Sequence, residues 1–422
     1  MDHFQLVDGE MHCEGVKLAE IAAEVGTPVY VYSTATMVRQ AAVMAAALAP
    51  LPDPLIAYAV KANPNAAVLA TLARVGLGAD IVSGGEYHRA RAAGMASDKI
   101  VFSGVGKTEQ EMAEALKGGL YQFNLESLEE AEALSGVATS LGLTAPAGFR
   151  VNPGVEAGTH AKITTGAAAN KFGIRIETAL EAYRAASVLP GLGVQGVAVH
   201  IGSQLTDLAP LETAFTRVGT LIEELRRAGH PIAVADLGGG LGIAYNPAMP
   251  APPSPNDYGA MVRRIAGGWN VRLVFEPGRL IVGNAGVLLA RVIRVKSGVD
   301  HPFVIADAAM NDLMRPALYD AWHAIEAVAP RGGRMRVNVV GPVCETGDTF
   351  ATAREMDRVE AGDLVLFRTA GAYAAAMSST YNSRALTAEV LVDGTRWAVV
   401  RRRVGIEQLI AADSVPDWLA LP

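Results

Sequence analysis

Between residues 34 and 276 the chain alternates helical stretches with short apolar runs, eight of each. Helical spacing covers 34–48, 66–75, 86–93, 109–117, 128–141, 178–188, 208–228 and 257–266. The apolar runs between them read as strands: 56–60, 78–83, 100–103, 121–124, 147–151, 196–200, 232–236 and 272–276. Strands that alternate with helices pair in parallel, because a parallel pair needs a crossover long enough to hold a helix. Eight such units fit a closed (β/α)8 TIM-type barrel. An open doubly wound sheet is compatible with the same alternation.

Polar residues favour the barrel. Lys61, Asp80, Arg150, His200, the glycines from Gly238 and Glu276 all fall at or just past strand C-terminal ends. In a barrel those ends converge on one mouth, where active sites lie. Beyond about residue 284 the helices fade. Stretches 287–296, 303–306, 335–340, 363–368, 386–392 and 397–402 read as strands of a second, mostly antiparallel β domain. Residues 1–33, with helical spacing over 16–25 and a strand at 28–32, precede the barrel, and that strand can join the later sheet. The expected domains are thus 34–283 and 1–33 with 284–422.

A formal charge of −7 over 422 residues, with no long basic run, argues against a nucleic-acid partner. The start, Met1-Asp2-His3-Phe4-Gln5, lacks the apolar core of a signal peptide. The most apolar stretch, 41–51, is too short to span a membrane. Cys13 and Cys344 are far apart in sequence and read as free thiols. A cytoplasmic location is expected, and no metal.

Lys61 ends the run Ile56-Ala57-Tyr58-Ala59-Val60, and the chain has eight lysines against 28 arginines. Such a lysine either snorkels to the surface or is a desolvated amine suited to a Schiff base. Gly238-Gly239-Gly240-Leu241-Gly242 is either a structural turn or a nest of backbone N–H groups for an anion. Its spacing departs from the dinucleotide fingerprint. Ser103-Gly104-Val105-Gly106-Lys107-Thr108 imitates part of a nucleotide loop, but Val101 stands where the first glycine is needed, so it reads as a coincidental turn. His200 is either a satisfied structural residue or a ring that stacks on a flat cofactor. Glu276 and Arg279 form either a local ion pair or a carboxylate for a ring nitrogen beside a guanidinium for an anion. The functional readings taken together specify pyridoxal 5'-phosphate.

Tyr58-Ala59-Val60-Lys61-Ala62-Asn63, His200-Ile201-Gly202-Ser203-Gln204, the glycine run at 238–242 and Glu276-Pro277-Gly278-Arg279 resemble the signatures of the barrel-fold pyridoxal-phosphate decarboxylases. Four later stretches resemble the diaminopimelate decarboxylase branch: 307–319, 341–348, Ala370-Gly371-Ala372-Tyr373 and Tyr381-Asn382-Ser383-Arg384. Ala309 and Thr346 depart from the family's usual glycine and serine without removing a reactive group. The resemblance spans about 28–405. It implies that Lys61 holds the cofactor covalently, that His200 stacks on its ring and that Glu276 pairs with its nitrogen. Asp80, Arg150, Ser203, Gly238, Gly239, Gly240, Gly278, Arg279 and Tyr373 would complete the cofactor site. Arg279, Arg315, Tyr319, Glu345 and Tyr373 would hold the substrate, and Cys344 would return a proton to Cα. The implied unit is a homodimer with sites shared across its interface.

The implied reaction is decarboxylation of meso-diaminopimelate to L-lysine. Arg315 suits the distal carboxylate and Glu345 the distal ammonium. The alternatives are decarboxylation of another basic amino acid or a carboxylated polyamine, and a non-catalytic homologue that binds a partner enzyme. Racemisation is a third, disfavoured by Glu276 opposite the ring nitrogen.

Overall fold

The eight expected strands close on themselves. In the computed structural model, which describes residues 2–156 and 171–419, strands Leu55–Ala59, Gly78–Ile81, Ile100–Phe102, Gln122–Leu125, Ala145–Asn152, Leu192–Val199, Val234–Asp236 and Arg272–Phe275 pair in parallel around a ring. The closed barrel, not the open sheet, is therefore the fold. The chain divides into two compact units, Met37–Gly283 and Met1–Thr36 with Asn284–Pro422.

Local chemistry sets where the barrel's helices begin. Ser83, Thr108, Ser127 and Ser254 each accept a backbone N–H from the first turn of the helix that follows. Thr108 and Ser254 form full capping boxes with Glu111 and Asp257, and each such cap stabilises its helix by about 1 kcal/mol. The loop read as a coincidental turn therefore ends in a helix cap. The side chain of its Lys107 is buried and donates to Glu130 and to the carbonyls of Gly104 and Asn124.

Because side chains alternate along a strand, every second residue points into the barrel. Leu55, Ala57, Val101 and Val274 form an apolar layer. Toward the strand C-termini the same alternation presents Asp80, Asn124, Asp236 and Arg150 instead, all buried. Glycines make room for that polar layer. A Cβ on Gly196 would collide with the Gln122 side-chain amide, and one on Gly148 would meet the Gly196 backbone at 2.6 Å.

The other unit is built on a sheet in the order Thr349–Asp357, Arg334–Val340, Phe303–Ala306, Gly286–Lys296, Val29–Ser33, Ala388–Asp393, Arg396–Arg401. Strand Val29–Ser33 does join it, antiparallel to Gly286–Lys296 and parallel to Ala388–Asp393. A second parallel pair joins Phe303–Ala306 to Arg334–Val340, and the other pairings in this sheet are antiparallel.

Three details differ from expectation. Residues 4–17 form a small three-stranded antiparallel sheet, so the first helix starts at Leu18 and not at Val16. Strands Ile325–Ala327 and Thr349–Asp357 lie outside the expected set. The second is masked by a break in its alternation, since Ala353 has φ +48° and the register shifts beside it. The last expected strand runs Arg396–Arg401 and stops before Arg402. Arg401 pairs with Glu389, and Arg403 donates to the Gly26 and Pro28 carbonyls. Among the described residues, no helix is long and apolar enough to cross a membrane.

Candidate active site

Strand Leu55–Ala59 stops two residues before Lys61, which sits in a single 3-10 turn, Val60–Ala62. Tyr58 pins this turn by donating its hydroxyl to the Asn63 carbonyl. The Lys61 ammonium donates to Asp80 Oδ2 at 2.9 Å. Asp80 is one strand over, in register with Ala59. Its other oxygen is buried and has no hydrogen-bond partner among the described residues.

Glu276 follows the strand Arg272–Phe275 directly and is buried. It accepts from Ser103 Oγ at 3.2 Å and shares a side-chain hydrogen bond with Asp236. Asp236 also accepts from Asn124 Nδ2 at 2.8 Å and from Gly238 N–H at 2.9 Å. Burial, then the charge of Asp236, pushes the Glu276 carboxyl well above the usual carboxylate range. Asp236 is raised as well, mainly by burial. Two buried carboxyls in contact cannot both ionise without a cation, so one proton is shared between them.

His200 follows strand Leu192–Val199. Its Nδ1 accepts from Gly239 N–H at 3.2 Å, so in its neutral form the ring carries its proton on Nε2. Loss of water, then the charges of Arg150 and Lys61, hold this histidine well below its ordinary value, and it is neutral. Arg150 pairs with Glu126 at 3.1 Å, donates to the His200 carbonyl, and lies 4.7 Å over the Phe172 ring. Lys61, His200, Arg150, Ser103, Asp236 and Glu276 all line one cavity of about 380 Å³.

Beside it the glycine run turns back on the strand ends. Gly238 has φ +64° and Gly240 φ +112°, conformations that favour glycine. A Cβ on Gly240 would lie 2.5 Å from the Gly202 carbonyl, and one on Gly239 would collide with the Glu276 carbonyl. Arg279 donates to Tyr245 Oη at 2.6 Å and to Ser203 Oγ at 3.1 Å. Gly278 precedes it at the start of the short helix Arg279–Val282.

These residues fit pyridoxal phosphate. The buried carboxyl pair calls for a cation, which a protonated ring nitrogen provides. An amine sits at the same cavity, and Gly240 N–H, Ser203 and Arg279 offer donors to a phosphate, while the Gly238 and Gly239 N–H groups are held by Asp236 and His200. The pyridoxal-dependent decarboxylase pyridoxal-binding domain model matches residues 34–283. The chain belongs to the pyridoxal-dependent decarboxylases. Within that family it is similar to the diaminopimelate decarboxylase of Zymomonas mobilis, 52% identical over 99% of each chain. That of Pseudomonas aeruginosa is 50% identical over 98% of this chain and 99% of its own. The crystal structure of diaminopimelate decarboxylase from M. jannaschii in complex with L-lysine superposes with a TM-score of 0.95 at 36% identity, covering 99% of both chains. A lysine/ornithine decarboxylase from Vibrio vulnificus, 21% identical with a TM-score of 0.79 over 89% of this chain and 97% of its own, shares the fold.

The remaining expected residues lie in the other unit. Arg315 and Tyr319 begin and end the helix Arg315–Tyr319. Tyr373 has φ +53°. Cys344 is a free, exposed cysteine. Its loop is shaped by Asp348, which is buried and accepts from Met310 N–H at 2.6 Å and Val343 N–H at 2.7 Å. Cys344 N–H donates to Asn382 Oδ1 at 3.0 Å, and Glu345 accepts from the Tyr381 hydroxyl.

Ser103, Asn124, Glu126, Asp236 and Tyr245 escape a reading of the sequence alone. For two of them a signal is present. Gln122, Asn124 and Glu126 alternate with Phe123 and Leu125, and a buried barrel strand with alternating polar residues turns them inward.

Proposed function

We propose that this pyridoxal-dependent decarboxylase converts meso-diaminopimelate to L-lysine and carbon dioxide. One observation carries the reading. The likeness to diaminopimelate decarboxylases runs the full length of the chain, through the unit that holds Arg315, Cys344 and Glu345, and not only through the barrel that the family model covers. The barrel residues serve any substrate of this cofactor. The other unit supplies groups suited to a distal carboxylate and ammonium.

When bound, pyridoxal phosphate supplies an electron sink for the pair left at Cα as carbon dioxide departs. Lys61 is the residue that holds it covalently. Glu276, backed by Asp236, would keep a proton on the ring nitrogen, and the neutral ring of His200 would lie against the cofactor. Gly240, Ser203, Gly278, Arg279 and Tyr373 would hold the phosphate, with Gly238 and Gly239 shaping the turn beside it and Asp80 and Arg150 completing the cofactor surroundings. Arg315, Tyr319 and Glu345, with Arg279 and Tyr373, grip the far end of the substrate. The Cys344 thiol returns a proton to Cα. The barrel unit thus binds the cofactor, and the other unit makes substrate and dimer contacts.

The active unit is a homodimer in the cytoplasm, with Cys344 and Glu345 entering the partner's site. The support for this is the resemblance over 341–348 and the exposure of Cys344. Purified protein loaded with pyridoxal phosphate and given each diaminopimelate stereoisomer is expected to release L-lysine from the meso form. No lysine, with cofactor bound, overturns the reading.

A further inference from the structure

Arg315 is buried, and a histidine fixes one edge of its guanidinium. Arg315 Nη1 lies 3.0 Å from His323 Nε2. A guanidinium only donates, so Nε2 accepts and carries no proton. The other ring nitrogen, Nδ1, lies 2.8 Å from the Arg368 carbonyl oxygen, which only accepts, so Nδ1 carries the proton. The two contacts together select one neutral tautomer. His323 is 2% exposed, so water does not substitute for either partner.

The histidine is itself held. Arg354 Nη1 donates to the His323 carbonyl at 2.8 Å, and its guanidinium lies 4.4 Å over the Trp322 ring. The Arg368 side chain is anchored by Glu326 at 2.8 Å and by Asp2. Among the described residues, the charged groups around His323 include Arg315 from its helix, Arg354 from strand Thr349–Asp357, and Arg368 with its carboxylates after strand Leu364–Phe367. A long arginine side chain has many rotamers, and a fixed acceptor removes most of them.

We propose that His323 is a positioning residue: it aims Arg315 at the distal carboxylate of the substrate and makes that grip sensitive to acid. This rests on the reading that Arg315 meets that carboxylate. Protonation turns Nε2 from acceptor into donor and sets a second positive charge against the guanidinium. The contact is then lost, and the effect falls on substrate binding.

The test is the split between KM and kcat for meso-diaminopimelate across pH. Asn at 323 reaches only as far as Nδ1, so H323N loses the Arg315 contact. Its KM should rise by roughly 10- to 100-fold, the range for a lost hydrogen bond to a charged group. Its kcat and the visible absorbance of the bound cofactor should change little. Gln reaches the Nε2 position, accepts and does not titrate. H323Q should restore KM, and the rise in KM expected of the wild type in acid should be smaller in this variant. In an R315A background H323N should add nothing. An unchanged KM in H323N, an acid rise in H323Q as large as that of the wild type, or an equal penalty without Arg315 each overturns the proposal while wild-type lysine release stands. H323Q alone decides the matter if H323N does not fold. A wild type that releases no lysine overturns the functional reading itself.

Discussion

Lys61 Nζ lies 2.9 Å from Oδ2 of Asp80, a carboxylate with no exposed side-chain surface. The lysine side chain is 37% exposed, so its amine is anchored at one end and reachable from the cavity. That combination suits a residue that must hold a cofactor and release it to a substrate amine. The loaded wild type should be yellow. Lys61→Ala should lose the visible absorbance band after dialysis, and retained colour would mean that another lysine carries the cofactor.

Removing Lys61 also strips Asp80 of its cation. Cofactor-free Lys61→Ala should therefore be less stable than cofactor-free wild type, by about 1–3 kcal/mol. That is below the cost of breaking a fully buried pair, because the lysine is partly solvated. Urea unfolding checks it. Adding Asp80→Asn should recover most of the loss, and no recovery would mean that the lost packing of the lysine stem is the cause.

Glu276 gives a pH prediction for the cofactor-free protein. The fold raises its carboxyl above the unfolded value, so the folded state favours the protonated form. The associated stability is full below the ordinary carboxylate range and is lost as pH rises through the raised value. Cofactor-free protein should thus weaken toward neutral and alkaline pH. Glu276→Gln should flatten much of that slope, and Asp236→Asn in addition should flatten it further. A slope unchanged in the double variant would place the titration elsewhere. Loaded protein should show a smaller slope, because a protonated ring nitrogen compensates the carboxylate.

The barrel is legible in the sequence because the period of its strands and helices is a backbone property written along the chain. The site is legible only in part. Arg272 to Phe275 reads as a strand with Glu276 at its polar end. Nothing local shows that Glu276 shares a hydrogen bond with Asp236, at the end of the strand beside it. The glycine run and Lys61 announce themselves by composition. The carboxyl pair, the Asn124 and Ser103 hydrogen bonds and the His323 tautomer do not, because each depends on residues that are distant in sequence. Strand Thr349–Asp357 is hidden by a local break in alternation at Ala353, which only the backbone reveals.

Arg315 tests the choice of substrate. Arg315→Ala removes a charge-assisted contact at a buried position, and turnover of meso-diaminopimelate should fall by the equivalent of about 2–5 kcal/mol in kcat/KM. Cofactor affinity, read from the visible band during dialysis, should hold. An equal loss of cofactor would place Arg315 on the phosphate instead of the substrate.

Cys344 gives a test of the proposed homodimer. Its thiol is exposed on a loop that Asp348 and Asn382 fix through backbone N–H groups. Glu345, beside it, is tied to Tyr381. An exposed thiol on an ordered loop suits delivery of a proton into a neighbouring subunit's site. If so, each site of the homodimer takes Lys61 from one chain and Cys344 from the other. Cys344→Ala and Lys61→Ala should each be nearly inactive alone. Mixed and allowed to exchange subunits, about half of the dimers should be heterodimers, and one site in each should hold both residues. Activity should then return to about a quarter of the wild-type level. Native mass spectrometry of the mixture checks that exchange has occurred. Exchange without recovery would show that each site is built from a single chain.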